Sequence, residues 1–207
     1  MKKAVKNKED TMQRMVSSVG ELIAEQGFAN VGVNALARKA KVDKVLIYRY
    51  FDGLEGLYAA YANSIDFWPS VEEILGEEDD VQELMSQPFD KVLRTVLERF
   101  ANAVRSRPLT IEIMAWEMVE RNALTIALEQ VREQMGLDLA AHMQKLDLPS
   151  ADWPTITNTF IFAINYLAIR SRKIERFTGI EINSEQAWTR MFDSMEFLIN
   201  GTGNSKS

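Results

Sequence analysis

Apolar residues recur at helical spacing along almost the whole of this chain, and that rhythm confines it to an all-α fold. Met12, Met15, Val16, Val19, Leu22 and Ile23 follow an i, i+3, i+4, i+7 stripe, which Gly27 is placed to stop. Val33, Leu36 and Ala37 mark a shorter helix. After the break Lys41-Val42-Asp43 comes a third helix, KVLIYRYF, of about two turns, with Asp43 suited to cap its start. Asp52-Gly53 punctuates again before a helix from 54 to 67. Long helices are then expected over 88–106, 108–121, 123–146, 153–173 and 184–200, with Pro108, Asn122, Pro149, Pro154 and Ser184 at the joints. No Val/Ile/Thr-rich alternation is bounded by turn signals, so no sheet is expected. The run Glu77-Glu78-Asp79-Asp80 reads as a solvated linker. Four adjacent carboxylates do not converge on an ion without other ligands.

Composition removes several chemistries. The 207 residues are 46% hydrophobic, enough for a core without disulfides. There is no cysteine, which excludes disulfides, thiol nucleophiles and Cys-ligated zinc or iron–sulfur sites. The one histidine, His142, excludes a multi-histidine metal site. Asp138, four residues before it, has the wrong spacing for the Glu-x-x-His pairs of a di-iron bundle. No nucleotide-binding, nucleophile-elbow, zinc-protease or EF-hand pattern is present, and Gly27 to Gly32 has P-loop spacing without the Lys-Ser/Thr that must follow. Neither an enzyme nor a cofactor is expected. The start, MKKAVKNKED, is basic but leads into no apolar segment, and the most apolar stretch, 160–169, is too short to cross a bilayer. The expectation is a cytoplasmic protein with no membrane partner.

Charge is divided unevenly. The net charge is −6, yet residues 1–61 carry ten Lys/Arg against seven Asp/Glu, while the remainder carries fourteen against twenty-three. A mildly basic end on an acidic body suits contact between that end and phosphate.

Residues 27–58 carry the functional signal. They read as two short helices joined by a tight turn, between a longer helix before and another after, which is helix-turn-helix geometry. On the second short helix Ile47 and Phe51 are four apart and serve as core contacts. Lys44, Val45, Tyr48 and Arg49 are left facing outward. Lys44 and Arg49 supply cations and donors for phosphate or guanine edges, Tyr48 and Tyr50 supply hydroxyls, and Val45 suits a thymine methyl.

This stretch resembles the TetR/AcrR family of bacterial transcriptional regulators. The matching positions are Gly27, Phe28, Val33, Leu36, Ala37, Ala40, Val42, Ile47, Tyr48, Tyr50, Phe51 and Leu57. The chain departs from the family pattern at Gly32 (usually Thr), Lys41 (usually Gly), Asp43 (usually Ser) and Leu54 (usually Lys). The changes at Gly32 and Leu54 each omit a phosphate-binding side chain. Lys41 and the arm Lys2, Lys3, Lys6 and Lys8 are available to replace them. The resemblance implies a DNA-binding domain over 1–53, an effector-binding and dimerisation domain over 54–200, and a disordered tail over 201–207. It implies DNA contact by Asn34, Lys41, Lys44, Val45, Leu46, Tyr48, Arg49 and Tyr50.

For the larger part, two helices carry apolar faces too wide for one buried seam: Ile156, Phe160, Ile161, Ile164, Leu167 and Ala168, then Trp188, Met191, Phe192, Met195, Leu198 and Ile199. Either they close the core of one protomer or, as in the family, they pair with a partner's copies. In the second case Phe160, Ile164, Leu167, Trp188, Met191, Phe192, Met195 and Ile199 form a homodimer interface. Effector candidates are Phe100, Met114, Trp116, Glu117, Met118, Phe162, Asn165 and Tyr166, an adaptable apolar set with a few polar groups. The expected function is a ligand-responsive regulator. It is a homodimeric repressor of a palindromic site on double-stranded DNA, released by an apolar or amphipathic small molecule, with the helix from 54 as the lever. The alternative is a dimeric helical sensor or adaptor with little DNA affinity.

Overall fold

The computed structural model describes residues 2–27, 31–64, 67–146 and 152–203, with side chains from Asn7 to Gly201 within those spans. Phe28, Pro149, residues 204–207 and the side chains of Lys2, Lys3 and Lys6 lie outside them. The described chain forms eleven helices and one small hairpin, in two compact units. One unit comprises 1–67 and 113–133, and the other 68–112 and 134–207.

In the first unit α1 (Lys2–Gln26) lies against α2 (Val33–Ala40) and α4 (Leu54–Ala62), and α3 (Val45–Phe51) packs on α4. The stripe expected on α1 is the one it buries: Met15, Val19 and Leu22 join Leu36, Ile47 and Leu57 in the core. The ends of α1 and α2 have identifiable stops. Gly27, with φ 71°, donates its N–H to the Ile23 carbonyl at 3.0 Å and ends α1. Lys41 ends α2 in the left-handed region, φ 54° and ψ 50°, where an L-residue without glycine's freedom is strained by about 1–2 kcal/mol. The backbone N–H groups of Lys41 and Val42 close back onto the Arg38 and Ala37 carbonyls, which offsets that strain. The Asp43 carboxylate accepts from the Val45 N–H at 2.9 Å and starts α3. The Tyr58 hydroxyl donates to the Val31 carbonyl, and burial pushes its pKa up to about 12. In the same unit the end of α8 (Pro108–Glu117) and the first half of α9 (Ala123–Met143) are joined by a two-pronged ion pair, Arg132 to Glu117 at 2.9 and 2.6 Å.

The second unit is built around α7 (Phe89–Arg105), which buries Val92, Leu93, Val96, Leu97, Phe100, Ala101 and Val104. Against it pack α5 (Val71–Leu75), α6 (Glu78–Met85), α10 (Trp153–Ser171) and α11 (Glu185–Gly203). Arg99 donates to the Ile74 and Leu75 carbonyls at 3.1 and 2.9 Å, satisfying the end of α5. Two expectations are corrected here. The acidic run is solvated but is not a linker: Glu78, Asp79 and Asp80 form the first turn of α6, where the helix dipole favours negative charge. A sheet is present, although minimal. Arg176–Phe177 pairs antiparallel with Ile180–Glu181 around Thr178-Gly179, both with positive φ as a two-residue hairpin turn requires. Strands of two residues are too short to leave an alternating pattern.

The contact of α11 with α7 is charged at its rim. Lys91 and Arg94 both bond the Glu196 carboxylate, and Arg105 bonds Glu185. Lys91 first, then Arg94, hold the Glu196 carboxyl below its usual value. In the unfolded chain that carboxyl titrates near 4.5, so it takes up its proton first as the pH falls. The pair's contribution is therefore complete above that value and is lost as the pH drops through the lowered one. The expected result is a steeper acid loss of the urea midpoint in the unaltered chain than in Glu196→Gln. Parallel acid profiles would remove Glu196 from the account of acid sensitivity.

Candidate nucleic-acid interface

Helix α3 is divided by its packing. Ile47 has no exposed surface and joins the core of its unit, where α3 packs on α4. On the opposite side Val45 is 60% and Tyr48 58% exposed, and Lys44 and Arg49 are exposed beside them. A large apolar side chain and an aromatic ring held in water this way mark a surface built to meet something. Leu46 and Tyr50 are half-buried at its margins, and Asn34 on α2 and Lys41 in the turn are exposed. All eight residues expected at DNA therefore have accessible surface in one unit.

The shell around this face fixes its orientation. Lys39 ties α2 to α1 through Glu21 at 3.2 Å and Glu25 at 2.5 Å, and the Glu25 bond raises the Lys39 ammonium above its usual value. Arg14 donates to the Ala40 carbonyl at 3.3 Å. Beneath α3, Gly56 comes so close that a Cβ there would stand 1.8 Å from the Phe51 carbonyl oxygen. The spacing of apolar residues does not single out Gly56, whereas Lys8, expected as part of a basic arm, places its ammonium over the Tyr50 ring. A glycine inside an expected helix is the available signal for the first.

The residues expected at an effector fall into separate settings. Met114, Trp116, Glu117 and Met118 lie in the first unit, where Glu117 is engaged by Arg132 and Met118 is exposed. Burial raises the Glu117 carboxyl and Arg132 opposes that shift. Phe100, Phe162, Asn165 and Tyr166 lie in the second unit. There Phe100 is buried edge-on to Trp68, and Phe162 is 68% exposed. The Asn165 side-chain oxygen is buried without a hydrogen-bond partner among the described residues. A cavity of about 470 Å³ opens in this unit between α10, the hairpin and α11. Tyr166, Leu167, Phe177, Ile180, Trp188 and Met191 are among its apolar walls. Of the eight effector candidates, Tyr166 is the one that lines it.

The residues expected between protomers are largely used within one. Ile164, Trp188, Phe192, Met195 and Ile199 are buried in this chain's own packing, while Phe160, Leu167 and Met191 are half-buried. The outward apolar surface of α10 and α11 is instead carried by Phe162, Tyr166, Phe197 and Leu198. His142 is half-buried, with Nδ1 2.9 Å from the Asp138 carbonyl oxygen of its own helix. Among the described residues no three His, Cys, Asp or Glu side chains are grouped to hold a metal ion, and no helix is long and apolar enough to cross a membrane.

Residues 20–61 match the family model described as bacterial regulatory proteins, tetR family. No curated protein matches the chain in sequence. Among solved structures, a TetR-family transcriptional regulator from Haemophilus influenzae is 16% identical with a TM-score of 0.60, over 93% of this chain and 98% of that one. NalD, the secondary repressor of the MexAB-OprM multidrug efflux pump in Pseudomonas aeruginosa, is 18% identical with a TM-score of 0.58, over 89% and 96%. RolR, solved in complex with resorcinol, is 17% identical with a TM-score of 0.52, over 94% and 90%. At such identities the likeness establishes the fold.

Proposed function

We propose, for a chain whose N-terminal part belongs to the tetR family of bacterial regulatory proteins, that it is a homodimeric, ligand-responsive repressor of transcription. The observation that carries the reading is the outward face of α3. Lys44, Val45, Tyr48 and Arg49 are solvated there, and Ile47 anchors the opposite side. Such a helix enters the major groove with its cations on phosphates or guanine edges and its apolar group against a thymine methyl. Two copies related by a two-fold axis read an inverted repeat. Phe162, Phe197 and Leu198 provide apolar surface for the second copy to cover.

The effector is an apolar or amphipathic small molecule. Support comes from the cavity beside Tyr166, whose volume and apolar walls suit such a ligand, and from a fold relative that binds resorcinol. Release is a population shift. The effector prefers a conformation in which the two recognition helices no longer span adjacent grooves, and it displaces the equilibrium by its difference in affinity for the two states.

Selection of duplexes from a random pool by the purified chain tests the reading, and recovery of an inverted repeat is the expected result. Lys44→Ala and Tyr48→Phe are each expected to weaken binding to the recovered site by about 1–3 kcal/mol with unchanged thermal melting. A folded dimer that enriches no sequence, with or without candidate effectors, would favour the sensor or adaptor reading. The acidic body and the residues Gly32 and Leu54 leave room for that reading.

A further inference from the structure

The face of α3 does not end at α3. On α1 the exposed Lys8 places its Nζ 5.3 Å from the centroid of the Tyr50 ring, and among the described residues Lys8 makes no ion pair. An ammonium over an aromatic face is held by the ring's quadrupole, so its position is set without a carboxylate that would neutralise it. Its three N–H donors stay available to oxygen acceptors. Tyr50 lies next to the exposed Arg49, so Lys8 adds a second cation at the C-terminal end of the recognition helix. The acidic neighbours Glu9 and Asp10 follow Lys8 at one and two residues. Helical geometry turns them about 100° and 200° away from it. The first turns of α1 precede residues 20–61, where the family match lies, so this cation stands outside the matched segment.

We propose that Lys8, held over the ring of Tyr50, is a phosphate-binding residue that extends the DNA-contacting surface from α3 onto α1. The proposal rests on the DNA-binding reading above and deepens it. The interaction is sequence-independent, as one with phosphate must be, and replaces part of what Gly32 and Leu54 omit. It assigns the N-terminal turns of α1 a binding role in place of that of a solvated tail.

Salt dependence separates this role from a structural one. Binding of the full chain to a short mixed-sequence duplex is measured over a range of salt for the unaltered protein, K8Q and K8R. Each phosphate neutralised by the protein steepens the fall of log affinity with log salt by about 0.9. K8Q removes one such contact from each protomer, so for the dimer it is expected to flatten the slope by about 1.8, and K8R to keep it. K8Q is then compared within Y50L, where its effect is expected to shrink because the ring that places the ammonium is gone. A K8Q slope equal to that of the unaltered chain overturns the proposal, including the case in which only the melting temperature falls. A full K8Q effect in the Y50L background overturns the positioning by the ring. If the unaltered chain binds no duplex at any salt, the DNA-binding reading falls and takes the proposal with it.

Discussion

Gly56→Ala is expected to abolish duplex binding and to destabilise the N-terminal unit by more than about 3 kcal/mol, the upper end of ordinary overpacking. A Cβ at that position would stand 1.8 Å from the Phe51 carbonyl oxygen and 2.9 Å from its carbon. The obstacle is backbone, so no rotamer change relieves it. Either α4 lifts away from α3 or the last turn of α3 unwinds, and each outcome moves Tyr48 and Arg49 on its exposed side. Gly136→Ala is the control. That glycine also lies within a helix, and a Cβ there would meet nothing within 4 Å. Alanine is expected to stabilise it by about 0.5–1 kcal/mol through helix propensity alone. The same propensity gain exists at Gly56, and the clash exceeds it severalfold. Thermal melting and duplex binding of both variants check the result. Wild-type behaviour from Gly56→Ala would show that α3 and α4 do not approach this closely.

Trp188→Ala is expected to cost about 3–5 kcal/mol in the stability of the second unit. The indole is 3% exposed, donates its N–H to the Ile182 carbonyl at 2.8 Å, carries the Arg105 guanidinium 4.6 Å from its ring centre and lies beside Phe192. Truncation opens a cavity, leaves that carbonyl without its donor and releases Arg105 from one of its anchors, the others being Glu185 and Asn102. Trp188→Phe keeps most of the volume and removes the donor, at an expected cost of about 1 kcal/mol. Urea denaturation followed by circular dichroism measures both. If Trp188 acted chiefly between protomers, Trp188→Ala would instead weaken dimer association and leave the unfolding of the single chain unchanged. The distinction matters for any map of a dimer interface on α11, because alteration of its buried residues reports folding before it reports association.

The long helices were legible because their apolar residues repeat at the helical period and their ends carry Gly, Asp, Pro or Ser. Helix α7, expected over 88–106, runs from Phe89 to Arg105, and α10, expected over 153–173, runs from Trp153 to Ser171. Local chemistry at the helix-turn-helix was legible too. The Asp43 carboxylate accepts from the Val45 N–H at the start of α3, although Lys44 and not Asp43 is the N-cap, and Lys41 takes the left-handed conformation that the missing glycine would have taken. Periodicity says which side of a helix is apolar. It does not say what covers that side. Wide stripes on α10 and α11 suggest a protein-binding surface, yet half of their residues, Ile164, Ala168, Trp188, Phe192, Met195 and Ile199, are buried in this chain, where both helices pack on α7. The acidic run escaped as a helix because four carboxylates look like solvent-facing loop unless the dipole that stabilises them is already in place.

What the sequence determined by itself is whatever depends on neighbours within about a turn: the helical content, the caps, the split of α3 into Ile47 against Lys44, Val45, Tyr48 and Arg49, and the basic bias of the first 61 residues. Tertiary structure decided what depends on residues of different elements. It brought Lys8 to Tyr50, Gly56 to the Phe51 carbonyl, Arg132 to Glu117 and Phe177 to Tyr166. Each of these is a meeting of two elements, set by how side chains fill space between helices and by which charges find a partner there. One-dimensional spacing does not contain that information, since a helix presents the same stripe whichever neighbour comes to cover it.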